Sequence, residues 1–117
     1  MDLHVSDNGL RKAFEDEAVC RRRFGADMAK KIQLRLAGLK AADSLAGFWP
    51  PKSGPERCHE LIGNRAGTFS VDLKQPYRLL FRPSPSGRRQ EGSEEQQRWK
   101  SITSIEIFAI EDTHGWS

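Results

Sequence analysis

Residues 57–82 read RCHELIGNRAGTFSVDLKQPYRLLFR, and the period of their apolar residues decides the fold. Phe69, Val71 and Leu73 alternate with Thr68, Ser70 and Asp72. After a turn at Lys74-Gln75-Pro76, Tyr77, Leu79 and Phe81 alternate with Arg78, Leu80 and Arg82. A period of two belongs to strands, whose side chains point to opposite faces in turn. The two runs predict a hairpin. Pairing Leu73 with Tyr77 across the turn sets Asp72 opposite Arg78 and Phe69 opposite Phe81. One face is then apolar, and the other carries Ser70, Asp72, Arg78 and Arg82.

Downstream of the hairpin, residues 83–100 read PSPSGRRQEGSEEQQRWK and show no apolar period, which predicts a flexible hairpin insertion at 84–100. A last strand runs from Ile102 to about Glu111. Ile105, Ile107 and Ala109 lie on one face, and Glu106, Phe108 and Ile110 on the other. With both faces partly apolar it reads as an inner strand. Continuing the alternation sends Asp112 and His114 to the face opposite Ile105 and Ile107.

Upstream of residue 57 the period lengthens. Phe24, Met28, Ile32, Leu36 and Leu39 recur every three or four residues, the stripe of a helix that buries one side. Asp7 and Asn8 are caps for a shorter helix through Leu10 and Phe14. Asp43 or Ser44 caps one further turn, ended by Trp49-Pro50-Pro51. The expected architecture is α+β: N-terminal helices packed on one face of a small antiparallel sheet, as one domain over 1–117.

Composition narrows the function classes. The chain has 117 residues, 37% hydrophobic and 30% charged, within the globular range. No apolar run is long enough to span a bilayer, and the opening MDLHVSDNG has neither a basic leader nor an apolar signal core, so no membrane partner and a cytoplasmic location are expected. Cys20 and Cys58 form no recognisable disulfide framework. Cys58, His59 and His114 lack the close ligand spacing of a zinc site, so neither metal nor cofactor is expected.

The net charge of +3 is small, but its distribution is not even. Between residues 18 and 42 stand Arg21, Arg22, Arg23, Lys30, Lys31, Arg35 and Lys40 against the single acid Asp27. They form either the wet face of a helix or a contact for a polyanion. Arg78 and His114 together suit a phosphate site, a fixed guanidinium beside a group that exchanges a proton near neutral pH. The competing reading pairs Arg78 with Asp72 and leaves His114 in a loose tail. Glu60 and Arg65 face the same choice. Trp49, Trp99 and Trp116 suit either base stacking or rim packing.

The wording HEL-x-G-x-x-x-G-x-x-S-V-D-L, then YRLLF, then EDTH at the end of the last strand, resembles the RelE/HigB-type toxins of bacterial type II toxin-antitoxin systems, most nearly the HigB-like branch. The resemblance spans nearly the whole chain. It implies a RelE-like fold and a ribosome-dependent, metal-independent mRNA endoribonuclease in which the ribose 2′-hydroxyl attacks its own phosphodiester. It implies a phosphate-stabilising role for Arg78, an acid or base role for His114 with Asp112 beside it, and a part for His59. Arg21, Arg22, Arg23, Lys30, Lys31, Arg35, Arg65 and Arg82 would contact RNA or the ribosome.

The implied partners are a helix-turn-helix, HigA-like antitoxin, the ribosome and mRNA, and operator DNA through the antitoxin complex. The chain departs from the family pattern at Ser70 and Asp72, where RelE has lysines, at Ile62, and at Thr113 in place of tyrosine. These departures keep open an alternative: a non-catalytic RelE/ParE-fold protein acting through antitoxin and DNA, or on another target such as gyrase.

Overall fold

The computed structural model describes residues 1–84 and 94–112. The elements in order are β1 (Asp2–Val5), α1 (Asn8–Glu15), α2 (Glu17–Phe24), α3 (Ala26–Ala41), a 3-10 turn at Leu45–Phe48, β2 (His59–Glu60), a 3-10 turn at Gly63–Arg65, β3 (Phe69–Asp72), β4 (Tyr77–Pro83), α4 (Glu95–Ser101) and β5 (Ser104–Asp112). No helix among the described residues is long and apolar enough to cross a membrane.

Local chemistry accounts for the helical half. Asp7 accepts the Leu10 N–H at 2.8 Å and starts α1. Asp16 both ends α1 and caps α2 through the Ala18 N–H at 2.9 Å. Gly25 then takes φ +84°, a left-handed conformation that favours glycine. The stripe from Phe24 to Leu39, expected in one helix, is therefore divided there, with Phe24 ending α2. Met28, Ile32 and Leu39 face the sheet from α3 and are buried. Ser44 caps the following 3-10 turn.

The strands stand in the order β1-β5-β4-β3-β2. The hairpin register is as expected: Phe69 opposite Phe81, Asp72 opposite Arg78, and the Leu73 N–H bonded to the Tyr77 carbonyl at 3.0 Å. Phe69, Val71, Leu79, Phe81, Ile105 and Ile107 form the core against the helices. Three features differ from expectation. The sheet is mixed, because β1 joins its edge parallel to β5, with Leu3 beside Ile105 and Val5 beside Ile107. Four residues with a two-residue apolar pattern carry too little local signal for that pairing, which β5 supplies.

The second difference lies in the segment expected as a loop insertion at 84–100. Its described end forms α4, and Trp99 is fully buried, edge-on to Trp49 (5.2 Å between centroids) and to Phe69 (5.7 Å). A helix of seven residues around a single tryptophan has no apolar period to read, yet that ring is the largest fully buried side chain among the described residues. Trp99 belongs to the core.

The third is a bulge. Phe81 lies opposite Ile107 and Leu80 opposite Ala109, so Phe108 is an extra residue on β5. A one-residue slip reverses the faces of everything beyond it.

Candidate functional site

The sheet face away from the core carries Ser70, Asp72, Arg78, Leu80 and Arg82 from the hairpin, joined by His59 opposite Ser70 on β2 and Glu111 opposite Arg78 on β5. Much of this face is closed to water: Ser70, Asp72, Leu80 and His59 are all buried. A charged cluster stands at its centre. The Asp72 carboxylate lies 3.2 Å from Arg78 Nε through Oδ1, an ion contact without aligned hydrogen-bond geometry, and 3.4 Å from Arg57 Nε through Oδ2. The Gln75 amide also donates to Oδ2 at 3.3 Å. Arg78 therefore meets Asp72 as the pairing predicts, and its side chain remains only 13% exposed.

His59 is the most informative residue of the cluster. Its Nδ1 lies 2.7 Å from the Arg57 carbonyl, which can only accept, so Nδ1 carries the proton and the neutral ring presents Nε2 as a bare lone pair. Nε2 is buried and has no hydrogen-bond partner among the described residues, as is also true of the cross-strand Ser70 Oγ. Burial is the main cause holding the His59 pKa below its ordinary value. The Arg57 carbonyl opposes this, Lys52 and Arg78 add to it, and Asp72 works against it. The result is a neutral base on the same sheet face as the Asp72 carboxylate and the two guanidinium groups that meet it. Buried polar atoms without partners call for an explanation, and catalytic use is one of the few available.

The other expected site residues stand at the margins of this face or on the helical layer. Arg65 grips Glu111 with two bonds at 3.0 and 3.3 Å. Arg82 lies 3.4 Å from Glu106 and 4.1 Å above the Phe108 ring. Glu60 accepts the Gly67 N–H and fastens the glycine turn. Arg21, Arg22, Arg23 and Lys30 are exposed and Lys31 half-buried on the helical layer, across the sheet from His59 and Arg78.

Two expectations need correction. Arg35 is not a surface cation: it follows Ile32 by three residues and precedes Leu39 by four, so it lies on the buried stripe. It donates from Nε to the Asp72 carbonyl at 2.7 Å and from Nη2 to the Pro55 carbonyl at 3.1 Å. It positions the end of β3, and with it the site. Asp112 does not continue onto the Arg78 face. The bulge at Phe108 reverses the parity, so Asp112 pairs with Tyr77 on the helix side while Glu111 takes the place opposite Arg78. His114 and Thr113 lie outside the described residues. Arg57 was missed: it lies in a loop, where no period flags it, and only the fold brings it to Asp72.

Among the described residues no group of side chains could hold a metal ion. Cys58 is buried with the core, and burial pushes its thiol pKa up.

No family model matches the chain, and no curated protein matches it. Among solved structures, a YoeB/ParE toxin from Agrobacterium tumefaciens aligns with a TM-score of 0.56 over 96% of this chain and 98% of that one, at 19% identity. The chain has a RelE/ParE-like fold. A RelE/ParE-like sheet with its helices on one face leaves the other face to present His59, Asp72 and Arg78, and this face is the candidate site.

Proposed function

We propose that the chain is the toxin of a type II toxin-antitoxin system, a ribosome-dependent, metal-independent mRNA endoribonuclease of the HigB-like branch. The observation that carries this reading is His59 Nε2, a buried lone pair without a partner among the described residues, on the sheet face that also carries Arg78. In the reaction, Nε2 takes the proton of a ribose 2′-hydroxyl, whose oxygen attacks the adjacent phosphorus. The Arg78 guanidinium offsets the charge that builds on the phosphorane oxygens. His114 gives a proton to the departing 5′ oxygen, and the products are a 2′,3′-cyclic phosphate and a 5′-hydroxyl. Asp112 closes β5 two residues before His114.

The sealed state of Nε2 supplies a reason for ribosome dependence: the side chains around it must part for RNA, and a ribosome-bound mRNA is presented in a fixed geometry. Arg21, Arg22, Arg23, Lys30 and Lys31 on the helical layer contact ribosomal RNA, leaving the opposite face for the message. A HigA-like helix-turn-helix antitoxin neutralises the toxin, and the complex binds operator DNA.

One observation favours a second reading. Asp72 already neutralises Arg78 in part, as suits a chain that acts through antitoxin and DNA or on another target such as gyrase. Expression without antitoxin, followed by mapping of mRNA 5′ ends in wild type, His59→Ala and His114→Ala, separates the two. New ends within codons that disappear in the variants support the nuclease. Intact mRNA in a growth-arrested wild type transfers the case to the second reading.

A further inference from the structure

Resting on the reading of this sheet face as an RNA site, we propose that Arg57 is a second phosphate-binding residue there, clamping the RNA backbone beside Arg78. Arg57 adopts φ +47°, a left-handed conformation that costs any residue but glycine.

That backbone turn directs the carbonyl to His59 Nδ1 at 2.7 Å, while the side chain returns to Asp72 with Nε 3.4 Å from Oδ2. Arg57 thereby sets the tautomer of His59 and meets the same carboxylate that holds Arg78. One buried carboxylate gathers two guanidinium groups, leaving a net charge of +1 beside a neutral imidazole, the complement of one phosphodiester.

The two arginines are not equivalent. The Arg78 side chain is 13% exposed and that of Arg57 47%. Among the described residues the Arg57 Nη groups make no hydrogen bond or ion pair, so the planar fork that suits a phosphate is left without a partner on a side chain 47% exposed. Asp72 anchors the inner edge of the fork, and the outer edge receives the ligand.

The test uses a short RNA oligonucleotide with 2′-deoxy substitutions, which cannot be cut, titrated onto wild type, Arg57→Gly and Arg57→Lys over a salt series. Cleavage of all-ribose mRNA on translating ribosomes is measured alongside. Glycine relieves the left-handed backbone and keeps the carbonyl for His59, so Arg57→Gly retains the wild-type melting temperature. Its affinity is expected to fall about tenfold or more, with the salt slope reduced by about 0.7 for one lost phosphate contact on a single strand. Arg57→Lys regains the slope but only part of the affinity.

Wild-type affinity and slope in Arg57→Gly overturn the inference, as does a wild type whose binding does not depend on salt. Binding that depends on Arg57 with no mRNA cleavage on ribosomes sinks the nuclease reading and keeps the clamp. Cleavage by a wild type whose binding ignores Arg57 does the reverse.

Discussion

Replacing Arg35 with methionine separates a positioning arginine from an RNA contact. The guanidinium donates to the carbonyls of Asp72 and Pro55 at 2.7 and 3.1 Å, and Arg35 is only 6% exposed. Methionine keeps much of the volume and removes both donors. Each buried acceptor left without a partner costs about 1–3 kcal/mol, so the gross loss is about 2–6 kcal/mol. Burying a thioether in place of an ion recovers part of this, and a net loss of about 3 kcal/mol is expected. The unfolding entropy of a 117-residue domain is about 0.25 kcal/mol per kelvin, so the melting temperature should fall by about 12 °C. Circular dichroism melts of wild type, Arg35→Met and Lys31→Met give the answer. Lys31→Met should melt within a few degrees of wild type. An Arg35→Met protein of unchanged stability but weakened RNA binding would refute the reasoning and return Arg35 to the surface cations.

Three further predictions follow from single residues. The lowered pKa of His59 means that the folded chain refuses a proton that the unfolded chain accepts. Stability is full above the unfolded value near 6.5 and declines as pH falls toward the folded value, by at most about 1.4 kcal/mol per pH unit. Urea titrations from pH 7.5 to 5 should show this slope in wild type and a smaller one in His59→Gln; equal slopes would count against a neutral buried imidazole. Trp99→Ala should cost about 3–5 kcal/mol, because the ring is fully buried against Trp49 and Phe69, and a mild loss in calorimetry would move α4 out of the core. Gly25→Ala meets nothing within 4 Å, so only the backbone, at φ +84° and ψ 161° in a region nearly confined to glycine, opposes it, at about 1–3 kcal/mol; a stabilised variant would show that the chain can bend between α2 and α3 without positive φ.

The candidate site was legible in part. Arg78 and Asp72 face each other because the two strands carry clear alternation around a short turn, and two neighbouring strands settle their own register. His59 stood out by resemblance, while the condition that makes it a base, a bare and buried Nε2, needs a hydrogen bond within its own loop and burial by the rest of the chain. Arg35 was misread for a general reason. A cation on the buried stripe of a helix looks like a surface residue until the carbonyls that receive it are known.

By itself the sequence determined what repeats over short distances: the apolar stripe of α3, helix starts at Asp7 or Asn8 and at Asp43 or Ser44, and the facing of Phe69 with Phe81. These depend on neighbours three or four residues away, or directly across a turn, so local periodicity encodes them. Tertiary structure alone decided the parallel seat of β1 on β5, the burial of Trp99, and the bulge at Phe108 that sends Glu111 rather than Asp112 to the Arg78 face. Each depends on partners far along the chain. A single inserted residue also leaves composition and period almost unchanged while reversing every side chain beyond it.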